Sequence, residues 1–240
     1  MTKPMCMATW RYKRANKSGH RGLKATLKYV SFREDANHII PEDGRERWFD
    51  GGLGGSWREV YANSQKLCGP YVLAHHFVIS PDPDLMALVP DAQRRDLLAE
   101  LTIRTLVDWH QARDLAVPEM SFVIHDRETT DETAPGRQML HSHAFTAGTI
   151  PTLDGRESVM VKERDVVRNK GGLDRDTNLN RIAEQNWSEL LDRTIGNDWQ
   201  LTRERDIEAE GQPEVQPEPE PEVTLADAES RRTSHLEFDL

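Results

Sequence analysis

Two histidines one residue apart, in "QMLHSHAFTAG" (138–148), are the first residues of this chain whose spacing suggests chemistry. Side chains on a β-strand alternate between faces, so His141 and His143 project from the same side. Neutral imidazoles suit divalent ions. A pair alone fits a metal site and equally fits two histidines that decorate a sheet. A third histidine, His125, ends the stretch "EMSFVIHD" (119–126). Alternation sets Ser121, Val123 and His125 on one face there. It sets Met139, His141, His143 and Phe145 on one face of 139–146. If the two strands pair, three imidazoles meet and leave positions open for a substrate oxygen. Asp126 and Glu128 follow His125 and are candidates for an oxygen ligand or for orienting an imidazole from behind. His75 and His76 are adjacent, so at most one can face such a site. They read as sheet histidines engaged in packing or hydrogen bonds.

The elements that must position these residues follow from hydrophobic spacing. "GLKATLKYVSFRE" (22–34) reads as a helix whose stripe is Leu23, Leu27 and Val30, with Tyr29 off that stripe, near Ala25, Thr26 and Arg33. Residues 38–57 are Gly-rich and loop-like. "YVLAHHFVIS" (71–80) reads as a strand ended by "PDPD". A helix is expected over 91–113, capped by Asp91, with a stripe of Leu97, Leu98, Leu101, Ile103, Leu106 and Val107. Strands follow at 119–126 and 139–148, and an amphipathic helix at 178–195. A strand, a helix and two further strands imply an α+β fold, an antiparallel sheet with helices packed on it. The first 200 residues form the expected folded domain. In 201–240, "GQPEVQPEPEPEVTLADAES" alternates Pro and Glu without apolar periodicity, so this acidic segment is expected to be a disordered tail.

Charge is divided accordingly. The chain has 240 residues and a net charge of −10. Between Glu204 and Leu240, 12 acidic residues stand against Arg205, Arg231 and Arg232, which leaves that segment at −9 and the rest of the chain at −1. Residues 1–34 hold nine Lys or Arg, among them Arg11, Lys13, Arg14, Lys17, Lys24, Lys28 and Arg33, against Glu34 alone. A basic stretch of this density fits either a phosphate-contacting surface or a solvated face. No apolar run reaches the ~20 residues of a membrane span, and the polar, basic start argues against a secretory leader. Cys6 and Cys68 form no CxxC, so neither a disulfide framework nor a thiolate zinc site is indicated. A cytoplasmic location is the expectation.

Three strings taken together, "LKYVSFRE", "HHFVISPDPD" before a long helix, and "FVIHDRE…LHSHAFTAGTIPTLDGR", resemble the relaxases, mobilisation nucleases of conjugative and mobilisable elements in the HUH endonuclease class. The resemblance spans about residues 20–165. It implies a site- and strand-specific DNA nicking enzyme acting on single-stranded DNA at an origin of transfer, with accessory relaxosome or coupling proteins as possible partners. It implies that Tyr29 is the nucleophile that forms a 5′-phosphotyrosyl bond, and that His125, His141 and His143 hold Mg²⁺ or Mn²⁺. A phenol is largely protonated at neutral pH, so such chemistry needs a base or a nearby cation. The basic residues of the first segment would then contact DNA.

The chain departs from the family pattern in three places. The gap between His125 and His141 is long, the opening reads "HDRE", so Asp126 or Glu128 takes the acidic role, and "AFTAG" replaces an asparagine-bearing continuation. The competing reading is therefore a catalytically inactive relaxase-like module that only binds DNA. Tyr12 is the alternative nucleophile, Tyr61 and Tyr71 are weaker candidates, and His20 is an outside one. A rolling-circle initiator or transposase would carry its tyrosine after the histidine motif, and no tyrosine follows His143.

Overall fold

From Cys6 to Trp10, residues alternate between buried (Cys6, Ala8, Trp10) and exposed (Met7, Thr9). That period-two pattern makes Cys6–Arg14 a strand, β1, with one apolar face. The computed structural model describes residues 4–32, 47–113, 115–126, 139–155, 157–159 and 175–201. Arg33, Glu128 and the tail from Thr202 onward lie outside the described residues.

A five-stranded sheet organises these residues in the order β1-β3-β5-β4-β2, where β2 is Trp48–Gly51, β3 Val72–Pro81, β4 Met120–His125 and β5 His141–Ala147. Each neighbouring pair is antiparallel, as the α+β reading requires. A separate hairpin joins β6 (Thr149–Pro151) to β7 (Glu157–Val159). Five helices are described: α1 Lys17–Phe32, α2 Trp57–Lys66, α3 Pro83–Leu88, α4 Asp91–Gln111 and α5 Arg175–Ile195.

Both faces of the sheet are covered. On one, Trp10, Phe77, Phe122 and Ala144 meet Leu98, Leu101 and Trp109 of α4 and Trp187 and Leu191 of α5. Ile103 and Val107 of the α4 stripe are only partly buried against this core. Some of the polar atoms of this core are paired with one another. Trp10 Nε1 donates to His75 Nδ1 at 3.0 Å, and the Thr102 and Ser142 hydroxyls lie 2.7 Å apart. Asn180 Oδ1 and Glu184 Oε1 of α5 accept from the backbone N–H groups of Ala8 and Met5, which satisfies donors along the outer edge of the sheet. On the other face, Leu23, Leu27 and Val30 of α1 and Trp57 and Val60 of α2 pack on Trp48, Ala74, Val123 and Phe145.

Several expectations need correction. The first helix begins at Lys17, earlier than expected, because Asn16 caps it: its Oδ1 accepts from Gly19 N at 2.9 Å. Gly19 is needed there, since a Cβ would stand 1.9 Å from the Arg14 carbonyl oxygen. Asp91 is the first residue of α4 rather than its cap; Pro90 takes the cap position, and the Asp91 carboxylate pairs with Arg94 at 3.0 Å. The region read as a loop over 38–57 contains β2 and the start of α2, which Ser56 caps. Strand β1, hidden in the basic segment, α3 and the β6–β7 hairpin are further elements beyond those that hydrophobic spacing predicts.

Burial holds His75 and His110 neutral. It pushes the His75 pKa down to about 3 and that of His110 down to about 4, the latter despite a 2.6 Å hydrogen bond to the Leu106 carbonyl. The unfolded value is near 6.5. Between that value and about 4, the unfolded chain binds protons that the folded chain refuses, so this stability is complete above pH 6.5 and is lost as pH falls. Urea unfolding at a series of pH values should show stability dropping on acidification below 6.5, by up to about 1.4 kcal/mol per pH unit for each histidine. A flat profile from pH 6.5 to 4 would contradict the burial of these rings.

Candidate functional site

The site is built by strand register and by the last turn of one helix. In the β4–β5 ladder, His125 stands opposite His141 and Val123 opposite His143, so alternation leaves all three imidazoles on the face that carries α1. Their ring centroids are 5.3, 4.8 and 5.1 Å apart, and one nitrogen from each lies within 4.8 Å of the others. His125 and His143 are buried and His141 is half-buried.

Each ring is held by a hydrogen bond through one nitrogen. His125 Nε2 donates to the Val30 carbonyl at 2.7 Å, and His141 Nδ1 donates to the Met139 carbonyl at 3.1 Å. A carbonyl can only accept, so these nitrogens carry the protons. The ligand atom would be Nδ1 in His125 and Nε2 in His141. In His143, Nδ1 lies 3.1 Å from His76 Nε2, and Nε2 would be the ligand atom. This arrangement, with one nitrogen tied behind and the other directed forward, is what metal-bound histidines show. The three rings thus fit a divalent ion by donor type and separation, and His125 and His141 fit it by tautomer as well. An all-imidazole set suits a first-row transition ion better than Mg²⁺, which prefers oxygen. Asp126 is exposed just past β4, and no carboxylate belongs to the cluster among the described residues.

The Val30 bond also fixes what stands beside the cluster. The last carbonyls of an α-helix have no partner within it, and His125 takes one of them. Tyr29 precedes Val30. Its side chain is 53% exposed, off the Leu23/Leu27/Val30 stripe. An open cleft of about 540 Å³ is lined by Thr9, Arg11 and Lys13 of β1, Ala25, Thr26, Tyr29 and Val30 of α1, and His76, Val78 and His143 of the sheet. Tyrosine, two cations and one histidine of the cluster therefore share one concavity. Its described lining includes no carboxylate, so the cleft suits an anion. Burial, then the Arg11 charge, lowers the Lys13 pKa. Burial followed by Lys13 and Arg11 pushes that of His76 down to about 4, so this ring is neutral at pH 7.

The remaining candidates divide between this cleft and elsewhere. Arg14 is exposed at the end of β1, outside the lining. Lys17, Lys24 and Lys28 are exposed on α1, and with Arg21 their spacing of four, three and four makes one helical stripe. Lys28 Nζ lies 5.0 Å from the ring centre of Trp57. Tyr12 belongs to the opposite face of the sheet, against the Trp10 core, away from the histidines. Tyr61 and His20 meet edge to face at 6.3 Å beside α2. Tyr71 is exposed ahead of β3 rather than part of its buried run. His76 is the site residue the sequence left unassigned. The adjacent His75–His76 pair signalled that one of them could face the cluster, and only the position of β3 next to β5 identifies which.

No family model and no curated protein matches this chain. Among solved structures, it is similar to the conjugative relaxase TrwC in a metal-bound complex with oriT DNA, at 16% identity and a TM-score of 0.48 over 78% of this chain and 70% of that one. TrwC complexed with a 27-mer DNA comprising the recognition hairpin and the cleavage site is similar at 14% identity and a TM-score of 0.45, over 95% and 90%. A structure described as the molecular basis of vancomycin resistance transfer in Staphylococcus aureus is similar at 12% identity and 0.40, over 79% and 94%.

Titration of the chain with Mn²⁺ by calorimetry should show one ion bound per chain, with His141→Ala weakening binding at least ~10-fold. An isotherm unchanged by that substitution would mean the three rings are not the ligands.

Proposed function

We propose that the chain is a metal-dependent DNA relaxase, which nicks one strand of an origin of transfer and joins itself to the 5′ end, and so initiates mobilisation of a plasmid or integrative element from the cytoplasm. One observation carries this reading: an exposed tyrosine, two cations and an edge of a three-histidine cluster line the same cleft. Covalent phosphoryl transfer to protein needs those three parts, a nucleophile, charge neutralisation for the phosphate and a site for a divalent ion.

In this scheme, single-stranded DNA runs through the cleft, with Arg11 and Lys13 against its phosphates. The stripe Lys17, Lys24 and Lys28, with Arg14 and Arg33, contacts the flanking backbone. The Tyr29 hydroxyl loses its proton to solvent, and its oxygen attacks phosphorus. The tyrosyl O–P bond forms as the bond from phosphorus to the 3′ oxygen breaks, and that oxygen leaves with a proton as a free hydroxyl. No bond energy is lost to hydrolysis, so the 3′ hydroxyl of a strand end can reverse the step and reseal the DNA. A divalent ion on His125, His141 and His143, Mn²⁺ in preference to Mg²⁺, would supply Lewis-acid stabilisation of charge on the phosphate oxygens. The α1 carbonyl bond to His125 keeps the tyrosine-bearing turn in register with the cluster. Asp126 or Glu128 would serve as an outer partner to the cluster. Accessory relaxosome or coupling proteins would act on the complex. The acidic segment 201–240, following a nuclease domain of residues 1–200, is proposed to be a solvated tail.

The inactive DNA-binding module is favoured by one observation, the exposed basic stripe of Lys17, Arg21, Lys24 and Lys28 on α1, which can contact phosphates without any cleavage. It predicts salt-sensitive DNA affinity that survives His141→Ala and His143→Ala without any cleavage. Incubating the full chain with Mn²⁺ and single-stranded oligonucleotides from the origin region of its own element should yield a denaturant-resistant protein–DNA adduct. Tyr29→Phe should abolish the adduct while leaving DNA affinity within about threefold. Adduct formation by Tyr29→Phe would remove the nucleophile assignment, and its absence from the parent chain would favour the binding module.

A further inference from the structure

His76 is the histidine of the cleft to which the nicking scheme gives no task. It sits on β3, opposite Arg11 of β1 on one side and Phe145 of β5 on the other, so it is a diagonal neighbour of His143. Its ring stacks on Phe145, with centroids 4.6 Å apart and planes 5° from parallel. It also lies 5.3 Å from the His143 ring at 19°. Side chains stacked in this way have little rotational freedom. The edge of the ring directs Nε2 to His143 Nδ1 at 3.1 Å.

Two hydrogen-bond arrangements satisfy that distance, and they have opposite consequences. If His76 Nε2 donates, His143 carries its proton on Nε2, the nitrogen that would bind an ion. If His76 Nε2 accepts, His143 carries its proton on Nδ1 and presents Nε2 as a ligand. The other two members of the cluster already have their protons on the nitrogen directed to a carbonyl. For His143, an imidazole stands where those rings have a backbone oxygen.

We infer that His76 is a positioning residue for the metal centre: its Nε2 accepts the Nδ1 proton of His143 and holds that ring as the ligating tautomer, in the orientation set by the Phe145 stack. This inference rests on the metal-centre part of the proposed function and needs no DNA chemistry. It also accounts for the pair at 75–76, in which one histidine serves the Trp10 core and the other serves the cleft.

The test compares the full chain with His76→Phe, which keeps the stack and removes the acceptor, and with His76→Gln, whose amide oxygen reaches the same position as Nε2. In Mn²⁺ calorimetry, His76→Phe should weaken binding about 10- to 100-fold, and His76→Gln should restore it to within about threefold of the parent. Mn²⁺ binding by His76→Phe as tight as the parent's, or by His76→Gln as weak as that of His76→Phe, would overturn the inference. A second measurement needs no variant. Two-bond ¹⁵N–¹H correlations in the metal-free chain should show the His143 proton on Nδ1, and a proton on Nε2 would overturn the inference equally. If Mn²⁺ binding follows these expectations while no DNA adduct forms, the nicking scheme fails and the role of His76 stands. If the adduct forms and His76→Phe binds Mn²⁺ normally, the reverse holds.

Discussion

The register of β4 against β5 is the constraint on which the site depends. Because side chains alternate, a slip of one residue in either strand would send its histidines through the sheet into the core packed by α4 and α5. In the observed register, His125 faces His141 across the ladder and His143 lies one step along the same face. What maintains it is apolar: Phe122 and Ala144 are paired on the α4 side, while Val123 and Phe145 pack under α1. Slippage would therefore expose both cores as well as scatter the imidazoles.

The sheet separates two kinds of polar group by face. On the α4 side, His75, Ser142 and Thr102 are closed in, with partners supplied by Trp10 and by one another. Their chemistry is limited to holding the core together. On the α1 side, the same strands present His76, His141 and His143 next to an open cleft with Arg11 and Lys13. Adjacent residues such as His75 and His76 thus have unrelated roles, one burying a hydrogen bond and the other bordering a concavity.

Electrostatics and packing converge at α1. The helix is seated by Leu23, Leu27 and Val30, its start is capped by Asn16, and one of its last carbonyls is taken by His125. That final bond is short and links the tyrosine-bearing turn to the cluster without any intervening loop. The basic stripe on the outer side of the same helix and the two cations of β1 give the region a positive character that the whole-chain charge of −10 conceals.

The sequence alone determined the pieces with strong local patterns. Leu23, Leu27 and Val30, the α4 leucines, the β-branched runs around His75 and His125, and the His-x-His spacing each reveal an element and a face, because hydrophobic period is set locally. It also showed that His125 would join the pair if the strands met. Only the tertiary structure decided that they do meet, since pairing across the interval 127–138 is a long-range event with no short turn to dictate it. The tertiary structure alone set β3 beside β5, which brings His76 to His143, and β1 at the edge, which turns Arg11 and Lys13 toward the cleft while Tyr12 goes to the far face. The alternation of β1 was present in the sequence, but Arg11, Lys13 and Arg14 fill its second half and it read as a charged segment. The bond from His125 to the Val30 carbonyl had no sequence signature, because a backbone oxygen is the same at every residue and is selected by position alone.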